Sequence, residues 1–127
     1  MPEDPKRCKA RLTARGFTQR PGRDFDQTYA LVCREESWRI LLIISLTRGM
    51  RVRQYDIEGA FLNGLLKEEL YVRDIHATGH RAWRLRKSLY GTKQAAHNWN
   101  KVLDDILKGL GFSQCFDDSG LYYRISD

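Results

Sequence analysis

The sequence predicts an α+β fold, a mixed or antiparallel sheet packed on two main helices. Three observations carry this. Between Thr92 and Leu110 apolar residues recur with helical spacing over about five turns. A second, more uniformly apolar helical run spans Glu35 to Arg48. Between and around them lie short strand-like runs in irregular order, with no internal repeat, low-complexity tract or interdomain linker.

Taken along the chain, Lys6 to Gly16 partly alternates. Cys8, Ala10, Leu12 and Ala14 fall on one side, and Lys9, Arg11, Thr13 and Arg15 on the other. A period of two predicts a half-buried strand with a cationic face. Pro21-Gly22 inside Arg20–Arg23 predicts a turn. Glu35 and Glu36 suit the positive end of a helix that Arg48-Gly49 closes. Its apolar residues wrap most of the circumference, so burial is expected, Trp38 included. Met50 to Ile57 reads as a strand, and Glu58 to Gly64 as a compact or helical turn carrying two glycines. Leu70–Arg73 and Trp83–Arg86 are short strand candidates around a loop holding His76 and His80. In the long helix Trp99, Val102, Leu103, Ile106, Leu107 and Leu110 form one stripe, ended by Gly111. Phe112–Phe116 and Leu121–Ile125 are the last strand candidates.

Length and composition bound the function. At 127 residues with 42% hydrophobic content, the chain is at most one domain and has the material for a core. The net charge of +6 is placed unevenly: residues 1–53 hold twelve Lys/Arg against six Asp/Glu, and the remainder balances. Seven basic residues and no acidic one lie between Lys6 and Arg23, and Arg81, Arg84, Arg86, Lys87 and Lys93 form a second run. Such stripes suit a phosphate backbone, or simply a solvated surface. Cys8, Cys33 and Cys115 show neither disulfide nor zinc spacing and read as reduced thiols. The three histidines are too scattered for a metal site. No run approaches the roughly 20 apolar residues a membrane span needs, and no secretory signal is evident. An intracellular protein, cytoplasmic or nuclear, is expected.

Chemistry concentrates at Gln54-Tyr55-Asp56-Ile57-Glu58-Gly59-Ala60-Phe61-Leu62-Asn63-Gly64. An aspartate ending an apolar strand before a tight turn can hold a metal ion, although such a residue also serves as a turn former. Several segments in order then resemble the copia-type reverse transcriptases of retrotransposons. They are Lys9-Ala10-Arg11-Leu12 with Arg15-Gly16-Phe17-Thr18-Gln19, Asp24 to Ala30, and Arg39-Ile40-Leu41-Leu42. Tyr55-Asp56 with Ala60–Gly64, Glu68–Val72, Leu85–Gly91 with Lys93-Gln94-Ala95 and Trp99, and Leu110-Gly111-Phe112 with Asp118 and Leu121-Tyr122 complete the series.

The resemblance implies a right-hand polymerase, here its fingers and part of its palm. Residues 1–127 then form a single partial reverse transcriptase domain. It implies Asp56 as catalytic carboxylate and Mg²⁺ ligand, with the backbone carbonyl of Ile57 beside it in a two-metal site. Phe61 would lie under the sugar of the incoming nucleotide, excluding a 2′-hydroxyl; plain core is the competing reading. Lys9 and Arg11 would meet phosphates, and Gly91 would admit backbone close to nucleotide or template-primer. Arg15, Lys93 and Gln94 would contact nucleic acid, or be solvated residues. Partners would be an RNA or DNA template-primer and deoxynucleoside triphosphates, with no membrane; oligomeric state is left open.

Some features depart from the family pattern. The sequence contains no Tyr-x-Asp-Asp, the second carboxylate motif, and Phe116-Asp117-Asp118 does not replace it. Asp118 reads as a turn or capping residue. Thr92 stands where Leu is usual, and Ala96-His97-Asn98 where Pro-Arg-Ala is. The chain alone is therefore expected to be inactive. The alternatives are a non-catalytic nucleic-acid-binding remnant and a transposon relic without stable function.

Overall fold

The computed structural model describes residues 10–74, 79 and 81–125. Lys9, Cys8 and the loop histidines His76 and His80 lie outside them. After a 3-10 turn at Gly16–Thr18 come helix α1 (Glu35–Thr47) and a second 3-10 turn, Ala60–Asn63. Strands β1 (Leu65–Arg73) and β2 (Ala82–Lys87), helix α2 (Ala95–Gly109), and strands β3 (Ser113–Gln114) and β4 (Tyr122–Tyr123) follow. The class is α+β, but among the described residues no mixed sheet spans it. Two separate antiparallel ribbons, β1–β2 and β3–β4, take its place.

The first ribbon aligns Leu70 with Leu85, Tyr71 with Arg84, Val72 with Trp83 and Arg73 with Ala82, with an irregularity between Leu65 and Leu70. Alternation along β1 buries Leu70 and leaves Glu69, Tyr71 and Arg73 exposed. Helix α2 packs on the second 3-10 turn, β1 and β3. Its stripe half-buries Trp99, Val102, Leu103 and Leu107. Asp104 on α2 accepts from Lys108 at 2.7 Å and from the Tyr122 hydroxyl at 2.8 Å, tying β4 to the helix. The Lys108 hydrogen bond, reinforced by Tyr122, holds Asp104 below its ordinary value. Burial, with Asp104 adding to it, pushes Tyr122 up to about 12.

The buried set is largely polar and, Asp118 apart, gathers around the start of α2. Phe25, Leu70 and Ala95 are its apolar members; Ser88, Thr92, Gln94 and Asp118 are the polar ones. Each polar member is hydrogen-bonded, as burial requires. Thr92 donates to the Leu89 carbonyl at 2.8 Å, so the unusual residue there closes the turn before α2.

Three expectations are corrected. Residues 10–15 are irregular rather than a strand, and so are residues 50–57. A strand is stable only when a neighbour completes its ladder, and no segment among the described residues pairs with either. Helix α1 forms where expected, yet none of its residues is buried and Trp38 is 47% exposed. A helix apolar on every side needs cover on every side, and none of the principal packings between elements involves α1.

What holds α1 is its N-terminus. Asp118 accepts from the Arg34 amide at 2.9 Å, the Gly120 amide at 2.9 Å and the Cys33 thiol at 3.4 Å. The expected capping role is met, but across the fold. A hydrogen bond from Ser37 leads the causes that, with Arg34, hold the Asp118 carboxyl down at about 2, below an ordinary 3.8. Burial and then Asp118 raise the Cys33 thiol above its ordinary value. A depressed carboxylate contributes its full stability above its unfolded value and loses it as pH falls through the folded one. Urea midpoints should therefore fall between pH 4 and pH 2. Asp118→Asn should lower the midpoint at pH 4 and reduce that fall. A variant whose acid profile parallels the parent would remove Asp118 from the acid response.

Candidate functional site

Asp56 lies in an exposed, irregular stretch, residues 50–58. Among the described residues its carboxylate has no hydrogen-bond or ion-pair partner. The Ile57 carbonyl accepts from the Ala60 amide at 3.3 Å and starts the turn that carries Phe61. That turn is fixed to α2. The Ser88 amide donates to the Gly64 carbonyl at 2.7 Å, and the Asn98 side chain donates to the Ser88 hydroxyl at 3.1 Å. Asn98, a departure from the family pattern, thus takes part in locking the turn.

Two of the expected nucleotide residues, Phe61 and Arg11, meet at Tyr90, which directly precedes a third, Gly91. Phe61 meets the Tyr90 ring edge-on, with centroids 5.8 Å apart and planes at 62°. The Arg11 guanidinium sits 5.5 Å from the same centroid, a cation–π distance. The Ala14 amide donates to the Tyr90 carbonyl at 2.7 Å, bringing the basic segment alongside. Gly91 follows with φ +87°, and a Cβ there would collide with the Ala14 carbonyl oxygen. Its close approach is thus to the chain's own backbone. Sequence reasoning gave Tyr90 no role of its own, although it lies inside the Leu85–Gly91 motif, just before a turn glycine.

The other expected contacts divide. Arg15 is exposed and lines a cavity of about 350 Å³ between residues 12–19 and β1, with Leu12, Leu70, Val72 and Leu85 among its walls. Lys93 is exposed, its ammonium 5.0 Å from the Phe25 ring centroid, and its amide donates to Gln19 at 2.8 Å. Gln94 differs from expectation. It is 1% exposed, donates to the Asp24 carbonyl at 2.8 Å and accepts from Gln19 at 3.0 Å. Both ends of its amide are spent on the Arg20–Asp24 turn and its approach. His97 reaches the Tyr29 carbonyl at 2.6 Å through Nδ1, which must carry the proton because a carbonyl only accepts. Asn100 pairs with both backbone groups of Leu31.

The Asp56 carboxylate and the Ile57 carbonyl are oxygen donors of the kind Mg²⁺ takes. Among the described residues, however, no group of three or more His, Cys, Asp or Glu side chains gathers to hold an ion. The donors suit the ion in type but not in number. No helix among the described residues is long and apolar enough to cross a membrane.

Comparison with known proteins bears on the family of the chain. The family described as "Reverse transcriptase (RNA-dependent DNA polymerase)" matches residues 3–127. The retrovirus-related Pol polyprotein from transposon TNT 1-94 of Nicotiana tabacum is 34% identical over 123 residues, covering 93% of this chain and 9% of that protein. The Pol polyproteins from transposons RE2 and RE1 of Arabidopsis thaliana are 37% and 36% identical over 121 residues, each covering 91% of this chain and 8% of their own length. The chain therefore spans under a tenth of the length of these curated relatives. No solved structure matches it. With a match that runs nearly end to end, the chain belongs to the reverse transcriptase (RNA-dependent DNA polymerase) family, in its copia-type branch.

Proposed function

We propose that this chain supplies fingers and part of the palm of a right-hand polymerase that adds deoxynucleotides to a primer 3′-hydroxyl on an RNA or DNA template. The observation that supports this best is the meeting of Phe61 and Arg11 on Tyr90, the neighbour of Gly91, beside the turn that follows Asp56. Three segments of the chain that carry nucleotide-site candidates, at Arg11, Phe61 and Gly91, share one locus.

In this reading Phe61, edge-on to Tyr90, presents its ring to the nucleotide sugar. A ring restrained by an edge contact excludes an extra hydroxyl better than a free one, because it yields less readily. Arg11, with Lys9, neutralises triphosphate or template phosphate, and Arg15 and Lys93 extend that charge along the nucleic acid. Gly91 lets the Tyr90 turn lie against residues 14–16, and Gln94 acts by holding the 19–24 segment, without touching nucleic acid. Reverse transcriptases as a family use divalent metal ions. A bound Mg²⁺ pair would supply Lewis-acid stabilisation of the attacking and leaving oxygens. Asp56 and the Ile57 carbonyl are this chain's donors toward it, completed by carboxylates from elsewhere in the polymerase.

The test is a graft. Residues 3–127 replace the matching segment of the tobacco polyprotein, and primer extension is followed on an RNA template. Extension with deoxynucleotides is expected, and Phe61→Val should raise ribonucleotide incorporation about tenfold, the scale of removing a steric block in a pocket. A graft that binds template-primer but never extends it would favour the binding-remnant reading.

A further inference from the structure

We infer that Asn98, in the first turn of α2, is a positioning residue for sugar selection, acting on Phe61 through Ser88 and Gly64. The inference rests on the polymerase reading above for what Phe61 faces, and on this chain's own hydrogen bonds for the route.

The route is continuous from side chain to backbone. The Asn98 side chain donates to the Ser88 hydroxyl at 3.1 Å. The Ser88 amide donates to the Gly64 carbonyl at 2.7 Å, and the Gly64 amide donates to the Phe61 carbonyl at 3.2 Å. Gly64 and Ser88 are both buried, Ser88 to 2% exposure, so water competes little for these bonds. Gly64 also lies directly on the helix. A Cβ there would come within 2.8 Å of the Asn98 Cβ and 2.9 Å of the Trp99 amide nitrogen. The turn that carries Phe61 therefore has no room to shift toward α2, and residue 98 stands at the contact.

The segment tied by Asn98 also meets the ring itself. Tyr90, two residues after Ser88, faces Phe61 edge-on at 5.8 Å between centroids. Backbone and ring of Phe61 are thus both referred to residues 88–90. By holding Ser88, Asn98 sets the spacing between that segment and the 61–64 turn. It acts through these neighbours and not on the nucleotide.

The tie is particular to this sequence. The copia-type pattern has an alanine at this position, and a methyl group donates no hydrogen bond. Losing Asn98 strips a buried hydroxyl of its partner, which costs more than the bond itself returns. Asn98→Asp keeps a partner, because the Ser88 hydroxyl can donate to a carboxylate as well as accept from an amide. A carboxylate in the first turn of a helix is also favoured by the helix dipole.

The test uses the 127-residue chain and the grafted polymerase. In the chain, nuclear Overhauser contacts between the Phe61 and Tyr90 rings should weaken in Asn98→Ala and persist in Asn98→Asp. In the graft, kcat/KM is measured for a ribonucleotide and its deoxynucleotide on one template. Asn98→Ala should raise the ribonucleotide-to-deoxynucleotide ratio about threefold, the scale of one neutral hydrogen bond. General damage to the fold lowers both constants and cancels in the ratio. Asn100→Ala removes the pairing with Leu31 from the same helix and should leave the ratio unchanged. In a Phe61→Val background Asn98→Ala should add nothing, because no ring remains to be positioned.

Ring contacts that survive Asn98→Ala would overturn the positioning, whatever the graft does. An unchanged ratio in Asn98→Ala, while Phe61→Val raises it, would remove Asn98 and leave the polymerase reading standing. If ring contacts weaken but Phe61→Val leaves the ratio unchanged, the sugar-facing reading of Phe61 fails and sugar selection by Asn98 fails with it. Equal effects of Asn98→Ala and Asn100→Ala on the ratio would reduce both to a loosened helix and overturn the route.

Discussion

Asp56→Asn in the grafted polymerase is expected to cut primer extension by more than about 100-fold, since even the outer partners of metal ligands cost about 10- to 100-fold when lost. The substitution keeps the shape of the side chain and removes the charge that a divalent ion needs. It should leave the fold intact, because Asp56 is exposed and holds no partner among the described residues. Affinity for template-primer should therefore be nearly unchanged, so the loss appears in turnover. Single-turnover extension alongside equilibrium binding separates the two. A variant that binds poorly but extends normally once saturated would show Asp56 to be a binding residue and would remove it from the chemistry.

Gly91→Ala is expected to lower the unfolding free energy of the chain by about 3 kcal/mol. Two effects combine. A side chain at φ +87° carries left-handed strain of about 1–2 kcal/mol, and its Cβ would overlap the Ala14 carbonyl, an overpacking cost of about 1–3 kcal/mol. Gly22 separates them, with φ +74° and nothing within 4 Å of an added Cβ. Gly22→Ala should therefore lose only the strain, about 1 kcal/mol. Urea denaturation of both variants checks this. Equal midpoints would show that residues 14–16 do not press on the Tyr90 turn. The Phe61–Tyr90–Arg11 convergence would then lose its support, since the Ala14–Tyr90 hydrogen bond holds it on one side.

The local elements were legible from residues alone because their causes are local. The stripe from Trp99 to Leu110 specifies α2 through contacts three and four residues apart. Glu35 and Glu36 start α1, and the strand candidates Leu70–Arg73 and Trp83–Arg86 fall within a hairpin longer than expected by several residues. The candidate site was legible in part, through the ordered motifs from Lys9 to Tyr122, and those same motifs place the chain in its family.

What neighbours in sequence could not decide is where each element finds its partner. Residues 50–57 have strand composition and no ladder; α1 has core composition and no cover. Tyr90 becomes a centre only because residues 11–14 and 61 are brought to it across more than 25 positions of chain. Gln94 looked like a free polar residue and is sealed, since both ends of its amide find groups about 70 residues away. Pairing and burial depend on contacts distant along the chain, and only the folded arrangement supplies them.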